Sequence, residues 1–420
     1  MEQPVNIYKV LADTFSSITA HMEKKSPERK WAYESSASHW REVYEAKDSG
    51  KLVAWYNFGI APELFTAMGI VPQQIENITA TAASFPDARW IDCVDIGQQS
   101  VPDYLCVAHK GAHGAIAGGF LPKPDLIVGS SHPCDSSRVG HSMMAHHYNI
   151  PYFTIDIPYW SDESAYQYVA GQIEKMVGFL EETTGKKMDF DRLKEVITYS
   201  NEALDYIYKI RDLRITIPCP TGGPDLLLDA GVNTNLSGTP EGVAYFKNRY
   251  LTAKAKADKK QGYVKEEKLR IGYMYTPTFF NPGLLAWLAT EYGAVVVTDM
   301  LDYRTYEKIE DLSSPKKIYY GLAKKFMLLP MAMHFRGPAK YFTDFAVQTC
   351  RDYKVEAAIF TGGIACRSAW AIARLAKDLL RDELNIPMLA IEADVGDPRI
   401  VSDQQMRDQI QDFLTVIMKR

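Results

Sequence analysis

The stretch that decides the fold runs from Val355 to Val395 and reads VEAAIFTGGIACRSAWAIARLAKDLLRDELNIPMLAIEADV. Residues 357–360 are a short apolar run of the kind that forms a buried strand. TGGIAC is a Gly-rich loop ending on Cys366, a long helical segment follows, and Asn385-Ile386-Pro387 opens the next apolar run. Strand, loop, helix and strand in that order is βαβ grammar. The order recurs in PDLIVGSSHPCDSSRVGHSMMAHHYNIPYFTIDIP, residues 124–158: a strand over 126–129, a loop SSHPCDSS carrying Cys134, a helix, then Asn149-Ile150-Pro151 and a strand reaching residue 157. Both copies put a Cys at the start of the helix and Asn-Ile-Pro after it. The pattern predicts two similar α/β domains, each directing a cysteine into the crevice at the carboxyl end of a strand, where open parallel sheets bind ligands. Coincidence between two generic βαβ units is the alternative.

Working outward, KLVAWYNFGIAPELFTAMGIVPQQIE (residues 51–76) repeats the grammar, with a strand, a Gly/Pro loop, a helix from about Pro62 and a second strand near Ile70. Residues 1–50 mix helical periodicity with charge and stop at Ser49-Gly50, which predicts an N-terminal helical arm. Residues 51–161 then form the first α/β domain. Residues 162–265 read as a helical linker with a Pro/Gly break at IPCPTGGPD (217–225), and residues 266–420 form the second α/β domain. The charged run KAKADKKQGYVKEEKLR (254–270) marks an exposed helix end and loop between them.

Composition narrows the function. The 420 residues are 24% charged and 46% hydrophobic, which is enough to build cores for two domains, and a net charge of −5 gives no field favouring nucleic acid or an anionic membrane. No apolar run approaches a membrane span, and MEQPVNIYKVLADTF has neither the basic start nor the apolar stretch of a signal peptide. The six cysteines are too few and too dispersed for a disulfide framework, so they are expected to be reduced thiols or metal ligands of a cytoplasmic protein. There is no GxxxxGK[ST], KGAHGAIAGGF (110–120) is not GxGxxG, and no GxSxG occurs. The chain is therefore expected neither to bind ATP nor to act as a serine hydrolase.

The candidate chemistry lies in a few positions. Cys134 and Cys366 enter helices, where backbone N–H groups and the helix dipole are expected to lower the thiol pKa and suit a metal ligand or nucleophile; a small buried side chain at a helix start is the plain alternative. Cys106, in DYLCVAHKGAHGAIAGGF, is followed by glycines and alanines that permit close approach to something bulky or, equally, close helix packing. Cys93, Cys219 and Cys350 lack such settings and default to structure. Six of the nine histidines fall between residues 109 and 147, and His109 and His113 are spaced i, i+4. With Cys106 and Cys134 they make a zinc site conceivable, or they line a cavity or hydrogen-bond to sulfur. Glu63, at the start of a helix after the first strand, either caps that helix or acts as a general base.

Together WYNFGIAPELFTAMGIVP, SSHPCDSS after DLIVG, GTPEGVAYF before EEKLRIGY, GAVVVTD, and AAIFTGGIACRSAW with NIPMLAIEADVGDPRIVSDQQMRDQIQDFL resemble the 2-hydroxyacyl-CoA dehydratase and benzoyl-CoA reductase family over residues 50–420. The carboxyl-terminal block, with its Cys, basic residue and Trp370, resembles the larger type of subunit. The resemblance implies two flavodoxin-like domains and a [4Fe-4S] cluster held by Cys106, Cys134 and Cys366, with Cys93 competing for the first position and Glu63 near the family's base. Three thiolates leave one iron open to substrate. The implied reaction adds one electron to an acyl-CoA thioester; the resulting ketyl radical expels the α-hydroxyl and acidifies the β hydrogen. The sister reaction reduces an aromatic thioester. The electron is implied to come from a separate ATP-hydrolysing iron–sulfur activator, and the partner to be a related shorter subunit. A homodimer carrying a double-cubane cluster, or a companion subunit that only carries electrons, are the alternatives. MLDYRTY (300–306), after GAVVVTD, has no assigned role.

Overall fold

The computed structural model describes residues 4–301 and 307–419, so most of MLDYRTY lies outside the described residues. Two parallel sheets dominate. In the first, β1 (Val53–Tyr56), β2 (Val71–Gln74), β3 (Leu126–Ser130) and β4 (Tyr152–Ile155) lie in the order β2-β1-β3-β4. In the second, β5 (Leu269–Tyr273), β6 (Ala294–Asp299), β7 (Ala357–Gly363) and β8 (Met388–Ala393) lie in the order β6-β5-β7-β8. The two orders are the same, and both reverse direction between the first and third strands, which opens a ligand crevice at the carboxyl ends of those strands. The expectation of two parallel-sheet domains holds.

The central strands β1, β3, β5 and β7 are buried along almost their whole length because helices cover both faces. On β1, Ala54 and Tyr56 face one core while Trp55 faces the other, where its Nε1 donates to the Tyr8 hydroxyl at 2.9 Å. The N-terminal helices Ile7–Lys25 and Trp31–Glu45 pack on that second face. Both Asn-Ile-Pro turns do the same work: Asn149 (φ 52°) and Asn385 (φ 55°) end their helices in the left-handed conformation that asparagine tolerates.

β7 runs longer than the expected 357–360, because Thr361, Gly362 and Gly363 continue the pairing with β8. Gly362 is required there, since a Cβ would fall 2.5 Å from the Trp370 ring. The helix Pro315–Leu328, in the β6 to β7 crossover, leaves its own sheet. Its Ile318, Leu322 and Phe326 share a core with Ala54, Val128 and the Val169–Ile173–Leu180 face of the helix Glu163–Thr184. Between the sheets run Phe190–Arg214, Pro224–Leu236 and Pro240–Asp258, so the 162–265 region is helical, with its break at the Pro/Gly segment. Among the described residues no helix is long and apolar enough to cross a membrane.

Candidate functional site

A cavity of about 580 Å³ opens between the two sheets. Cys106, Cys134 and Cys366 all line it, and each is the N-cap of a helix: Val107–Ala117, Asp135–Tyr148 and Arg367–Leu384. Three helix N-termini thus converge on one space, each offering backbone N–H groups and the positive end of a dipole to a sulfur. The Ser137 N–H lies 3.4 Å from the Cys134 sulfur, and the Cys106 N–H donates to Ser136 Oγ at 3.3 Å, tying two of the helix starts together. The Cys134 and Cys366 sulfurs are close enough to help raise the Cys106 thiol, and Cys366 the Cys134 thiol.

One expectation about these cysteines reverses. Burial pushes the Cys134 thiol up to about 12, the Cys106 thiol well above its ordinary value and the Cys366 thiol upward, against the backbone N–H groups that pull the other way. Desolvation of a thiolate in a closed cavity outweighs a helix terminus unless a positive partner arrives. A cation bound there would release protons from the thiols.

The glycines after Cys106 serve helix packing. Gly111 lies under the Trp90 ring, and Gly114 and Gly97 bring the helices Trp90–Gly97 and Val107–Ala117 into backbone contact. Cys93 is buried inside that contact and does not line the cavity. Cys219 donates to the Thr221 carbonyl at 2.7 Å, and Cys350 is buried beside Met274. Neither lines the cavity.

The cavity also holds a carboxyl group that sequence reading passed over. Glu76 opens the helix Ile75–Ala83 at the carboxyl end of β2 and lines the cavity. Its carboxylate oxygens are buried without a hydrogen bond of ordinary geometry, and burial pushes its pKa up to about 8, offset only in part by the nearby backbone amides of Glu76 and Phe58. His109 Nε2 stands 3.6 Å from Glu76 Oε1. Burial holds His109 near a pKa of about 3, so it faces Glu76 as a neutral ring. The available signal was a carboxylate just past a strand end in QQIENITA, which competes with many polar residues that merely start helices.

Glu63 is fully buried at the start of the helix Glu63–Ala67. Its carboxylate pairs with Lys325 Nζ and accepts hydrogen bonds from Ser200 Oγ (2.7 Å) and Ser237 Oγ (3.2 Å). Burial pushes the Glu63 pKa up, but the Lys325 charge and these hydrogen bonds outweigh it and hold the group below the usual carboxylate range. Lys325, which lines the cavity, comes from the crossing helix Pro315–Leu328, a contact that no local pattern foretells.

The histidines disperse. His109 and His141 stack edge to face at 5.1 Å, His113 bonds Ser100 Oγ at 2.8 Å, and His132 contacts the Ile157 carbonyl at 3.0 Å. Among the described residues no three His, Cys, Asp or Glu side chains gather closely enough to hold a single metal ion, so the zinc reading finds no site there. The acidic turn after β8 adds Val395 to the cavity lining. Asp394 accepts from the Gly396 and Asp397 N–H groups, while Arg399 reaches across to Asp95 at 2.7 Å.

Comparison with known proteins agrees with this geometry. Residues 58–417 match the family described as 2-hydroxyglutaryl-CoA dehydratase, D-component. The chain is 24% identical to the (R)-phenyllactyl-CoA dehydratase alpha subunit of Clostridium sporogenes, over 94% of this chain and 99% of that one. It is 22% identical to the alpha subunit of lactoyl-CoA dehydratase of Anaerotignum propionicum, covering 88% and 92%. It is also 22% identical to one of the subunits of benzoyl-CoA reductase of Thauera aromatica, covering 71% and 72%. With a match across most of its length, and with a cavity between two parallel sheets, this chain belongs to the 2-hydroxyglutaryl-CoA dehydratase D-component family.

Proposed function

We propose that this chain is the cofactor-bearing component of an acyl-CoA dehydratase that removes water from a 2-hydroxyacyl-CoA. The observation that carries the reading is the meeting of three N-cap cysteines and the buried carboxyl of Glu76 around one cavity. The donor set suits a [4Fe-4S] cluster better than a single ion. A zinc ion with bonds of about 2.3 Å draws its thiolates into one tight shell, whereas a cluster takes each thiolate on a separate iron and needs them spread around a larger body. Cys106, Cys134 and Cys366 would hold it. When bound, such a cluster supplies the low-potential electron chemistry that makes an unactivated β hydrogen acidic.

The residues of the chain handle the protons. At neutral pH Glu76 keeps its proton, so it can deliver it to the departing α-hydroxyl as the Cα–O bond breaks, forming water. The carboxylate left behind accepts the proton from Cβ and returns to its starting state. Neutral His109 stands beside that carboxylate without competing for its proton. Glu63, held ionised, serves indirectly by fixing Lys325 in the cavity wall. The apolar lining excludes water around the reacting groups.

The relatives named as alpha subunits support a heterodimer with a shorter relative as partner. A separate ATP-hydrolysing activator would supply the electron, in a reducing cytoplasm that keeps the thiols available. Anaerobic reconstitution followed by iron and sulfide analysis tests the cofactor, with about four irons per chain expected. Conversion of a 2-hydroxyacyl-CoA to its enoyl-CoA by the chain with its partner and activator tests the reaction. Activity only on an aromatic thioester would move the assignment to ring reduction, for which the benzoyl-CoA reductase relative provides the precedent. A cluster whose EPR signal ignores every acyl-CoA would reduce the chain to an electron carrier.

A further inference from the structure

The helix Ile75–Ala83 lines the cavity along one face: Asn77, Thr81 and Ser84 recur at helical spacing, from beside Glu76 in the first turn to the C-cap. Helical rise sets Glu76 and Ser84 about 12 Å apart. At the near end His109 Nε2 stands 3.6 Å from Glu76 Oε1. The far end is aromatic, where Phe85 meets Phe15 edge to face with ring centres 5.6 Å apart. Phe15 belongs to the first N-terminal helix, and Tyr33 and Trp40 from the second also line the cavity. All three lie outside residues 58–417, the segment that matches the family, whereas the three cysteines lie inside it.

Charge is absent from this part of the lining. Among the described residues the charged side chains that line the cavity are Glu76, Asp135, Lys325 and Arg367. Asp135 and Arg367 adjoin Cys134 and Cys366, and Lys325 is paired with Glu63. Neither the Asn77–Ser84 face nor the helix Pro224–Leu236 contributes a charge. That second helix is tied to the first where Asn235 Nδ2 donates to Asn77 Oδ1 at 3.2 Å, and Gly231 lines the cavity one turn from the tie. Glycine in mid-helix weakens a helix relative to alanine. Here it leaves room, since a Cβ added to Gly231 would meet one atom within 4 Å, the Asn77 Nδ2 at 3.5 Å.

We propose that the acyl group this site accepts is large, apolar and uncharged, that it lies along the Asn77–Ser84 face with its end toward Phe15 and Phe85, and that Gly231 admits it. Burial of apolar surface against aromatic walls favours such a group. A second carboxylate at the end of the acyl chain would enter a region without a cation, and an unpaired buried charge is strongly disfavoured. The phosphates of CoA are kept from that end for the same reason. They stay toward Tyr104 and Arg367, exposed lining residues beside the cysteines, where the guanidinium lies 5.2 Å from the tyrosine ring centre. This inference rests on the dehydratase reading above.

The test is calorimetric titration of the anaerobically reconstituted full-length chain with three thioesters: 2-hydroxy-3-phenylpropanoyl-CoA, 2-hydroxypropanoyl-CoA and the dicarboxylic 2-hydroxypentanedioyl-CoA. The first should bind about tenfold or more tightly than either of the others, the scale on which an apolar pocket separates substrates of different size. Gly231→Leu fills the pocket. It should weaken the first thioester by about tenfold or more while leaving 2-hydroxypropanoyl-CoA within about twofold of its native affinity. Gly231→Ala, which favours the helix, should move the same ratio in the same direction by a smaller factor, so the test stands even if the leucine variant does not fold. Tightest binding of the dicarboxylic thioester, equal binding of all three, or an equal loss for large and small thioesters in the variants would overturn the proposal and leave the dehydratase reading intact. Native chain that binds no CoA thioester would remove both together.

Discussion

The first and second sheets share strand order, an N-capping cysteine after the third strand and an asparagine in the left-handed conformation before the fourth, yet their crossovers between second and third strand differ. In the first domain that crossover stays home. It supplies Glu76, His109 and the third cysteine, Cys106, to the shared cavity. In the second domain it leaves, laying Pro315–Leu328 across the first domain's core and inserting Lys325 beside Glu63. A repeated unit therefore brings two equivalent cysteines to the cavity, while the unlike crossovers add Glu76, His109 and Cys106 from the first domain and Lys325 from the second.

The sharpest way to break the comparison is to remove the shared feature. Cys134→Ala and Cys366→Ala should each abolish iron binding in anaerobic reconstitution, while Cys219→Ala and Cys350→Ala should retain it. If only one of the first pair mattered, the two domains would not contribute equivalently. Glu76→Gln tests the divergent crossover. It should lower turnover by about 10²–10⁴-fold with iron content and acyl-CoA affinity unchanged, as expected for loss of a general acid–base. A variant with full activity would return the proton-transfer role to another group.

Lys325→Met tests the clamp. It strands the Glu63 carboxylate in a dry interior, and removing one member of a buried pair costs about 3–5 kcal/mol. Chemical denaturation should show that loss and should show most of it recovered in the double variant Glu63→Gln/Lys325→Met. The smallest effect is the pH dependence of stability. Burial raises Glu76 from 4.5 to about 8, so the folded state keeps a proton that the unfolded chain has already released, and this contribution is lost as pH rises from about 4.5 through about 8. Between about pH 6 and 9 the native protein should lose on the order of 2 kcal/mol relative to Glu76→Gln, measured by paired denaturation curves.

The strands and helix entries were legible because their information is local. VEAAIFTGGIAC and PDLIVGSSHPC carry apolar runs, small-residue loops and helix starts within a short span of chain, and Asn-Ile-Pro marks the helix ends. Cys134 and Cys366 followed from that grammar, and Cys106 from the family resemblance. Of the two uses open to the glycines after Cys106, the structure selects helix packing, since they seat one helix against another. Glu76 was missed because a raised pKa comes from burial, which one carboxylate in a polar stretch does not announce. The sign of the thiol shifts was missed for the same cause: a helix terminus can be read along the chain, whereas the desolvation that overrides it comes from burial in the folded protein.

By itself the sequence determined two parallel-sheet units and a cysteine at each helix entry, because strand periodicity, capping and turn chemistry act between near neighbours in the chain, and its motifs carried the resemblance to the family. Only the tertiary structure decided that three thiols share one cavity, that burial raises the Glu76 carboxyl there, and that Lys325 crosses from the second domain to pair with Glu63. Glu63 and Lys325 are 262 positions apart, and the field that sets a charge in a closed interior depends on what is folded around it rather than on what precedes it in the chain.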